Sequence, residues 1–259
     1  MIGQMNNKNN IAKWIQNNSF PRFIIINGSE GSGRLTLAKH IAKSLDIPAS
    51  ISGKSIEEVR EVITYAYSVT TPAVYIFPNA NEMSVAALNA MLKVVEDPPN
   101  NSYFIMTCTG FELLGTLRSR ATSIQIEPYS RAELLALTDD ALKLQYCDTP
   151  GMIKYWEDKN FEEFIQFCET VRDNIFEVSG VNALKIPSRL KFKEEDEGFP
   201  PDQFARVLIK MWSDKALPYQ TWRRLIMCTN TLLTRLNSKS IKKEFAVDSW
   251  LLQIKEYIE

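Results

Sequence analysis

Histidine and cysteine are scarce in this chain. His40 is the single histidine. No site built from several imidazoles can exist, and a serine–histidine–acid triad would have to use this one residue, which sits beside Lys39 in a helical stretch. The cysteines, Cys108, Cys147, Cys168 and Cys228, lie far apart. That spacing argues against a zinc knuckle and against a disulfide framework, leaving buried thiols and no metal site as the expectation. Charge of one sign is missing too: 30 Lys and Arg against 31 Asp and Glu leave a net −1. A chain so balanced lacks the basic footprint of a free-standing nucleic-acid binder. There is no apolar run of about 18 residues, so no membrane span is expected. The stretch from Met1 to Asn10 is polar and Asn-rich. It lacks the apolar segment of a secretion signal, and a cytoplasmic location is expected.

What is present suits an α/β domain followed by helices, on a length of 259 residues of which 45% are hydrophobic. Phe23-Ile24-Ile25-Ile26 is a continuous apolar run of the kind found in a buried parallel strand. The loop Gly28 to Gly33 follows it. A helix is predicted over Arg34 to Leu45, with Leu37, Ile41 and Leu45 on one face. A short strand is expected around Ile51. Ser55 with Glu58 forms a capping box at the start of a second helix. Further strands are predicted at Ala73 to Phe77, Tyr103 to Thr107 and Thr122 to Ile126. Between the first two, Ser84 to Glu96 is read as an amphipathic helix with Val85, Leu88, Leu92 and Val95 on its apolar side, stopped by Pro98 and Pro99. After Pro128 the periodicity is helical: Phe161, Phe164, Ile165, Cys168, Val171 and Ile175; then Phe204, Val207, Leu208 and Met211; then Phe245, Trp250, Leu251, Ile254 and Ile258. Lys191 to Pro201 is charged, ends in two prolines and reads as a loop.

Gly28-Ser-Glu-Gly31-Ser-Gly33-Arg34-Leu35-Thr36 nearly fits the phosphate-binding pattern G-x-x-x-x-G-K-[ST], and it stands between a strand and a helix, as that motif requires. Glycines let backbone N–H groups close round a phosphate, and the helix N-terminus adds a favourable dipole. Gly28, Gly31, Gly33, Arg34 and Thr36 are therefore the candidate nucleotide-binding residues. Arg34 replaces the lysine, whose compact charge a guanidinium fork does not reproduce. Leu35 replaces the hydroxyl that would hold Mg²⁺. Thr36 comes one residue late, about 100° round the helix. The strand ending at Phe77 runs into Pro78-Asn79, where metal-dependent phosphoryl transfer needs carboxylates. The loop is read as a relic with no hydrolysis of its own. Open beside that reading stand an independent P-loop ATPase or kinase with a variant loop, and a binding module evolved from the same fold.

The run Ala87-Leu-Asn-Ala-Met-Leu-Lys-Val-Val-Glu96-Asp-Pro-Pro99 resembles the "aaNaLLKtLEePp" stretch of bacterial clamp-loader subunits of the AAA+ family. Tyr103-Phe-Ile-Met-Thr107 is similar to the family's sensor strand, and Leu114-Gly-Thr-Leu-Arg118-Ser119-Arg120-Ala121 to its "lLpTirSRc". The resemblance covers roughly residues 20–130. Beyond them only Gly151-Met-Ile and Asn182-Ala-Leu184 carry it, loosely. It implies an α/β AAA+ core with a parallel sheet over 1–128, a small helical lid over 129–160 and an all-α collar over 161–259. It also implies that Ser119 and Arg120 are a trans-acting arginine-finger motif aimed at a neighbour's ATP. A decayed site of its own beside a kept Ser-Arg motif is the pattern of the delta-prime subunit. The partners implied are the gamma/tau and delta subunits of DNA polymerase III, the sliding clamp, and primed DNA through the assembled complex. No cofactor is implied for this chain: ATP belongs to the neighbouring subunit. The four-cysteine zinc module of many relatives has no counterpart here, and Ala121 stands where the family has cysteine.

Overall fold

In a computed structural model the apolar run Phe23–Asn27 is a strand, β1, with all five residues buried. It lies inside a five-stranded sheet of order β2-β3-β4-β1-β5. The other strands are Ala49–Ile51 (β2), Ala73–Phe77 (β3), Ser102–Cys108 (β4) and Thr122–Gln125 (β5). Every pairing is parallel. The structure describes residues 2–99, 101–110, 113–175, 185–193, 195–213, 219–236, 238 and 241–258. The segment Asn182-Ala-Leu184 and the side chain of Ile258 lie outside the described residues.

The described chain divides into two units, Met1–Leu137 with Asp148–Gly151, and Thr138–Cys147 with Met152–Glu259. In the first, β1 leads through helix α2 (Arg34–Leu45) to β2 at one edge, and β4 leads to β5 at the other. Right-handed crossovers in opposite directions place their connections on opposite faces of the sheet. The side chains follow. Ile24 and Ile26 pack with Leu37, Ala38 and Ile41 of α2. Phe23 and Ile25 pack with helix α3 (Ile56–Ser68), helix α4 (Val85–Glu96) and Leu117. The gap between β1 and β4, where the connections diverge, is the switch point at which open α/β sheets place ligands.

Ser55 caps α3 and Glu58 returns the hydrogen bond, completing the capping box. Ser84 caps α4 through the Ala87 amide. Two details differ from expectation. The stripe that α4 buries is Ala87, Leu88, Met91, Val94 and Val95, while Val85 is 64% exposed. Asn89, Lys93 and Glu96 mark the polar face of this helix, and Val85, one turn before Asn89, falls on it. An N-terminal helix, α1 (Met5–Gln16), anchors through Ile11. Trp14 and Ile15 pack beside it half-buried, but these few apolar residues in an Asn-rich segment leave little periodic signal.

The second unit is helical. Helices over Phe161–Asn174, Pro201–Ser213, Tyr219–Leu236 and Lys243–Ile258 pack in sequence order. Phe161, Phe164, Ile165, Cys168, Val171 and Ile175 are all buried, as are Phe204, Val207, Leu208 and Met211. Trp156 stacks on Phe164 with ring centroids 4.7 Å apart. The buried Trp250 indole donates to Thr229 Oγ1 at 3.0 Å. That satisfies a polar group whose burial without a partner would be costly. In the last helix the buried residues are Ala246, Val247, Trp250 and Ile254, whereas Phe245 is 62% exposed. Phe245 was expected inside; the stripe is turned by one position. All four cysteines are buried. Among the described residues no helix is long and apolar enough to cross a membrane.

Candidate functional site

The loop after β1 is closely packed against residues distant in sequence. At Gly28 an added Cβ would meet Ile126 at 2.9 Å. Gly31 and Gly33 take positive φ angles of 73° and 88°, a region that costs a side-chain-bearing residue energy and glycine none. The Tyr129 hydroxyl donates to the Ser32 carbonyl at 2.8 Å. The Gly151 amide donates to the Gly31 carbonyl at 2.9 Å, and a Cβ at Gly151 would collide with the Gly31 backbone. The carbonyls of Gly31 and Ser32 are thereby both engaged by residues more than 90 positions away in sequence.

Arg34 opens α2 and turns inward. It is 8% exposed, and its Nη2 donates to Asn79 Oδ1 at 3.3 Å. Nη1 and the hydroxyl of Ser32 are buried without a hydrogen-bond partner among the described residues. Burial holds the Arg34 pKa below its ordinary value, against the opposing pull of Cys108, Glu30 and Glu82. Asn79 follows β3 in the left-handed region, φ 50°, with its amide donating to Thr107 Oγ1 at 3.0 Å. Asparagine tolerates this conformation better than most residues. Cys108, at the end of β4, donates its thiol to Asn27. Burial pushes its pKa up to about 11, against the influence of Arg34 and Arg118. The thiol is therefore a neutral donor at ordinary pH.

As a site for a magnesium nucleotide this donor set does not fit. Leu35 is half-buried against the core, and Thr36 is exposed. Pro78 and Asn79 offer no carboxylate. Glu82 lies in a short 3₁₀ turn (Ala80–Glu82) and is ion-paired with Lys54. The guanidinium in the lysine position is bonded to Asn79.

The Ser-Arg motif has a different setting. Helix α5 (Gly115–Arg118) is anchored by Leu117, which is fully buried, and Ser119 closes it. The Ser119 hydroxyl donates to the Thr116 carbonyl at 3.0 Å. Arg120 Nη1 donates to that carbonyl at 2.8 Å, and Nη2 meets Glu96 Oε1 at 2.6 Å. The Arg120 side chain is 37% exposed.

The register of the sheet separates the two settings. Ile24 of β1 lies opposite Thr122 of β5, and Asn27 opposite Gln125. The glycine loop thus begins beyond the carboxyl edge of the sheet, and Arg120 lies just before its amino edge. At about 3.3 Å per residue, the levels of Gly28 and Thr122 differ by roughly 13 Å, and Arg120 lies further back still. Arg120 is remote from the loop of its own chain. The sequence showed both motifs. It did not show Tyr129 and Gly151 closing the loop, Asn79 receiving Arg34, or Glu96 receiving Arg120. Glu96 and Gly151 stood inside quoted motifs, but nothing local identifies their partners.

A family described as DNA polymerase III, delta subunit, matches residues 46–130. The DNA polymerase III subunit gamma of Buchnera aphidicola subsp. Schizaphis graminum is 25% identical, over 46% of this chain and 42% of that one. The DNA polymerase III subunit delta' of Yersinia pestis is 41% identical, over 26% of this chain and 22% of that one. The chain spans less than half the length of these curated relatives. Among solved structures, a RuvB mutant of Thermotoga maritima aligns with a TM-score of 0.51 at 14% identity, over 96% of this chain and 88% of that one. That likeness concerns the fold alone, a parallel α/β core followed by helices.

Proposed function

Because this chain is related to the clamp-loader subunits of DNA polymerase III, within the AAA+ family, we propose that it is a delta-prime-type subunit. In this reading it hydrolyses no ATP and lends Arg120 to the ATP site of a neighbouring subunit. The observation that carries the reading is the separation of the two motifs across the sheet. A guanidinium before the amino edge, partly exposed and distant from its own loop, is open to another chain, which supports a role in trans. In trans it would sit where charge develops on the transferring phosphoryl group, and a preorganised cation there stabilises the transition state. Ser119 would position it through the Thr116 carbonyl that both side chains share.

The state of the glycine loop supports the other half of the reading. With Leu35 in the hydroxyl position, no carboxylate at Pro78-Asn79 and Arg34 bonded to Asn79, the loop lacks the side chains that would hold Mg²⁺ for hydrolysis. The partners in this proposal are the gamma/tau and delta subunits, the sliding clamp, and primed DNA through the assembled complex. Residues 129–160 would serve as lid and 161–259 as collar, in a cytoplasmic protein that carries neither zinc nor nucleotide of its own. The test is reconstitution with the ATPase subunits. Arg120→Ala should depress ATP turnover and clamp loading, while the isolated wild-type chain shows no Mg²⁺-dependent ATPase. Turnover near one per second by the isolated chain, roughly the low end of kinase-type rates, would favour the independent-enzyme reading. Unchanged turnover and loading with Arg120→Ala would leave a binding module.

A further inference from the structure

Arg120 already has an anion of its own. In the isolated chain Nη1 is committed to the Thr116 carbonyl at 2.8 Å and reaches Ser119 Oγ at 3.5 Å. Nη2 is committed to Glu96 Oε1 at 2.6 Å. These two nitrogens form the fork that would grip phosphate oxygens in pairs. The three contacts are not equivalent. Thr116 and Ser119 offer dipoles, which direct the guanidinium without neutralising it. Glu96 offers a full negative charge, which cancels what a finger has to deliver. Glu96 is the last residue of α4, on an element separate from the Ser-Arg turn. It can therefore let go without disturbing that turn.

We propose that Glu96 is a latch on Arg120: a positioning residue that holds the guanidinium in the free chain and competes with the neighbour's phosphate for it in the assembly. The proposal rests on the reading of Arg120 as a trans-acting finger. With side-chain exposures of 37% and 53%, the pair is reached by water and worth little, as exposed ion pairs are. A weak pair suits an exchange: a phosphate bearing more charge than one carboxylate displaces it, and the charge of Arg120 is covered until then. A ligand that binds only the unlatched form sees its apparent affinity reduced by the latched fraction.

The experiment uses the complex reconstituted with its ATPase partners, carrying this chain as wild type, Glu96→Gln, Arg120→Ala or the double variant. ATP turnover is followed against ATP and salt concentration. Glu96→Gln should lower the ATP concentration for half-maximal turnover by about 1.5- to 5-fold, the range expected of an exposed ion pair. The effect should shrink as salt rises and vanish in the Arg120→Ala background. A lower kcat for Glu96→Gln would make Glu96 a support for the finger rather than a competitor and would overturn the latch. So would no change, or a change that persists without Arg120. The finger reading is judged separately by Arg120→Ala alone. The pair itself is judged in the isolated chain, by a double-mutant cycle of the same substitutions on thermal unfolding. Strict additivity there sinks the latch and leaves the finger standing.

Discussion

Arg34 and Arg120 stand at opposite edges of one sheet, in opposite surroundings. Arg34 is 8% exposed, bonded to a neutral amide, and burial holds its pKa down. Arg120 is 37% exposed and bonded to a carboxylate that water also reaches. The first is fixed, because moving it means dismantling packed structure; the second is held by contacts that exchange with solvent. Arginine content alone says nothing about which of two motifs can act on a partner. Desolvation and the partner's charge decide that.

The sharpest break of the comparison is kinetic. In the reconstituted complex Arg120→Ala should slow turnover at the neighbouring site by up to about 10³-fold or more, the range for arginine fingers. Total turnover should fall less, because ATP sites that do not face Arg120 are left untouched. Single-turnover measurement of ATP hydrolysis resolves the two.

A second expectation concerns the buried side of the sheet and pH. The Cys108 pKa is raised to about 11 from an ordinary value near 9. The unfolded chain loses this proton first, so stability is fully present below about pH 9 and declines as pH rises toward 11. The loss is up to about 2–3 kcal/mol at roughly 1.4 kcal/mol per pKa unit. Chemical denaturation at pH 8 and pH 10.5 measures it, and Cys108→Ala should remove most of the difference.

Asn79→Ala should destabilise the isolated chain by about 1–3 kcal/mol, since Arg34 would lose its partner while remaining buried. Arg34→Met in that background should recover much of the loss, because an apolar chain of similar reach needs no partner. If Asn79→Ala costs nothing, Arg34 is not fixed in the way argued, and the contrast between the arginines collapses.

The smallest expected effect is on stability at the exposed side. Arg120→Ala should change unfolding free energy in the isolated chain by no more than about 1 kcal/mol, as for other exposed ion pairs. Urea denaturation checks it. A larger change would mean that Arg120 is structural.

Much of this protein was legible along the chain. The apolar run of β1, the capping box of Ser55 and Glu58, the glycine loop before α2 and the order of the two motifs all follow from neighbours a few residues apart. Backbone preference and side-chain spacing act at that range. At helix starts an apolar residue is a weaker guide: Val85 falls on the polar face that Asn89, Lys93 and Glu96 mark in α4, and both Val85 and Phe245 are exposed.

The sequence by itself therefore determined the elements, the parallel α/β class and the presence of a glycine loop that departs from the phosphate-binding pattern, followed by a Ser-Arg motif. Only the tertiary structure decided what each motif meets. Gly151 reaches Gly31, Tyr129 reaches Ser32, Arg34 finds Asn79 and Arg120 finds Glu96 because the order β2-β3-β4-β1-β5 brings these distant positions together. The physical reason lies in the register of parallel strands. It puts the end of β1 and the start of β5 at opposite edges of the sheet, so one arginine is sealed in and the other is left at the surface.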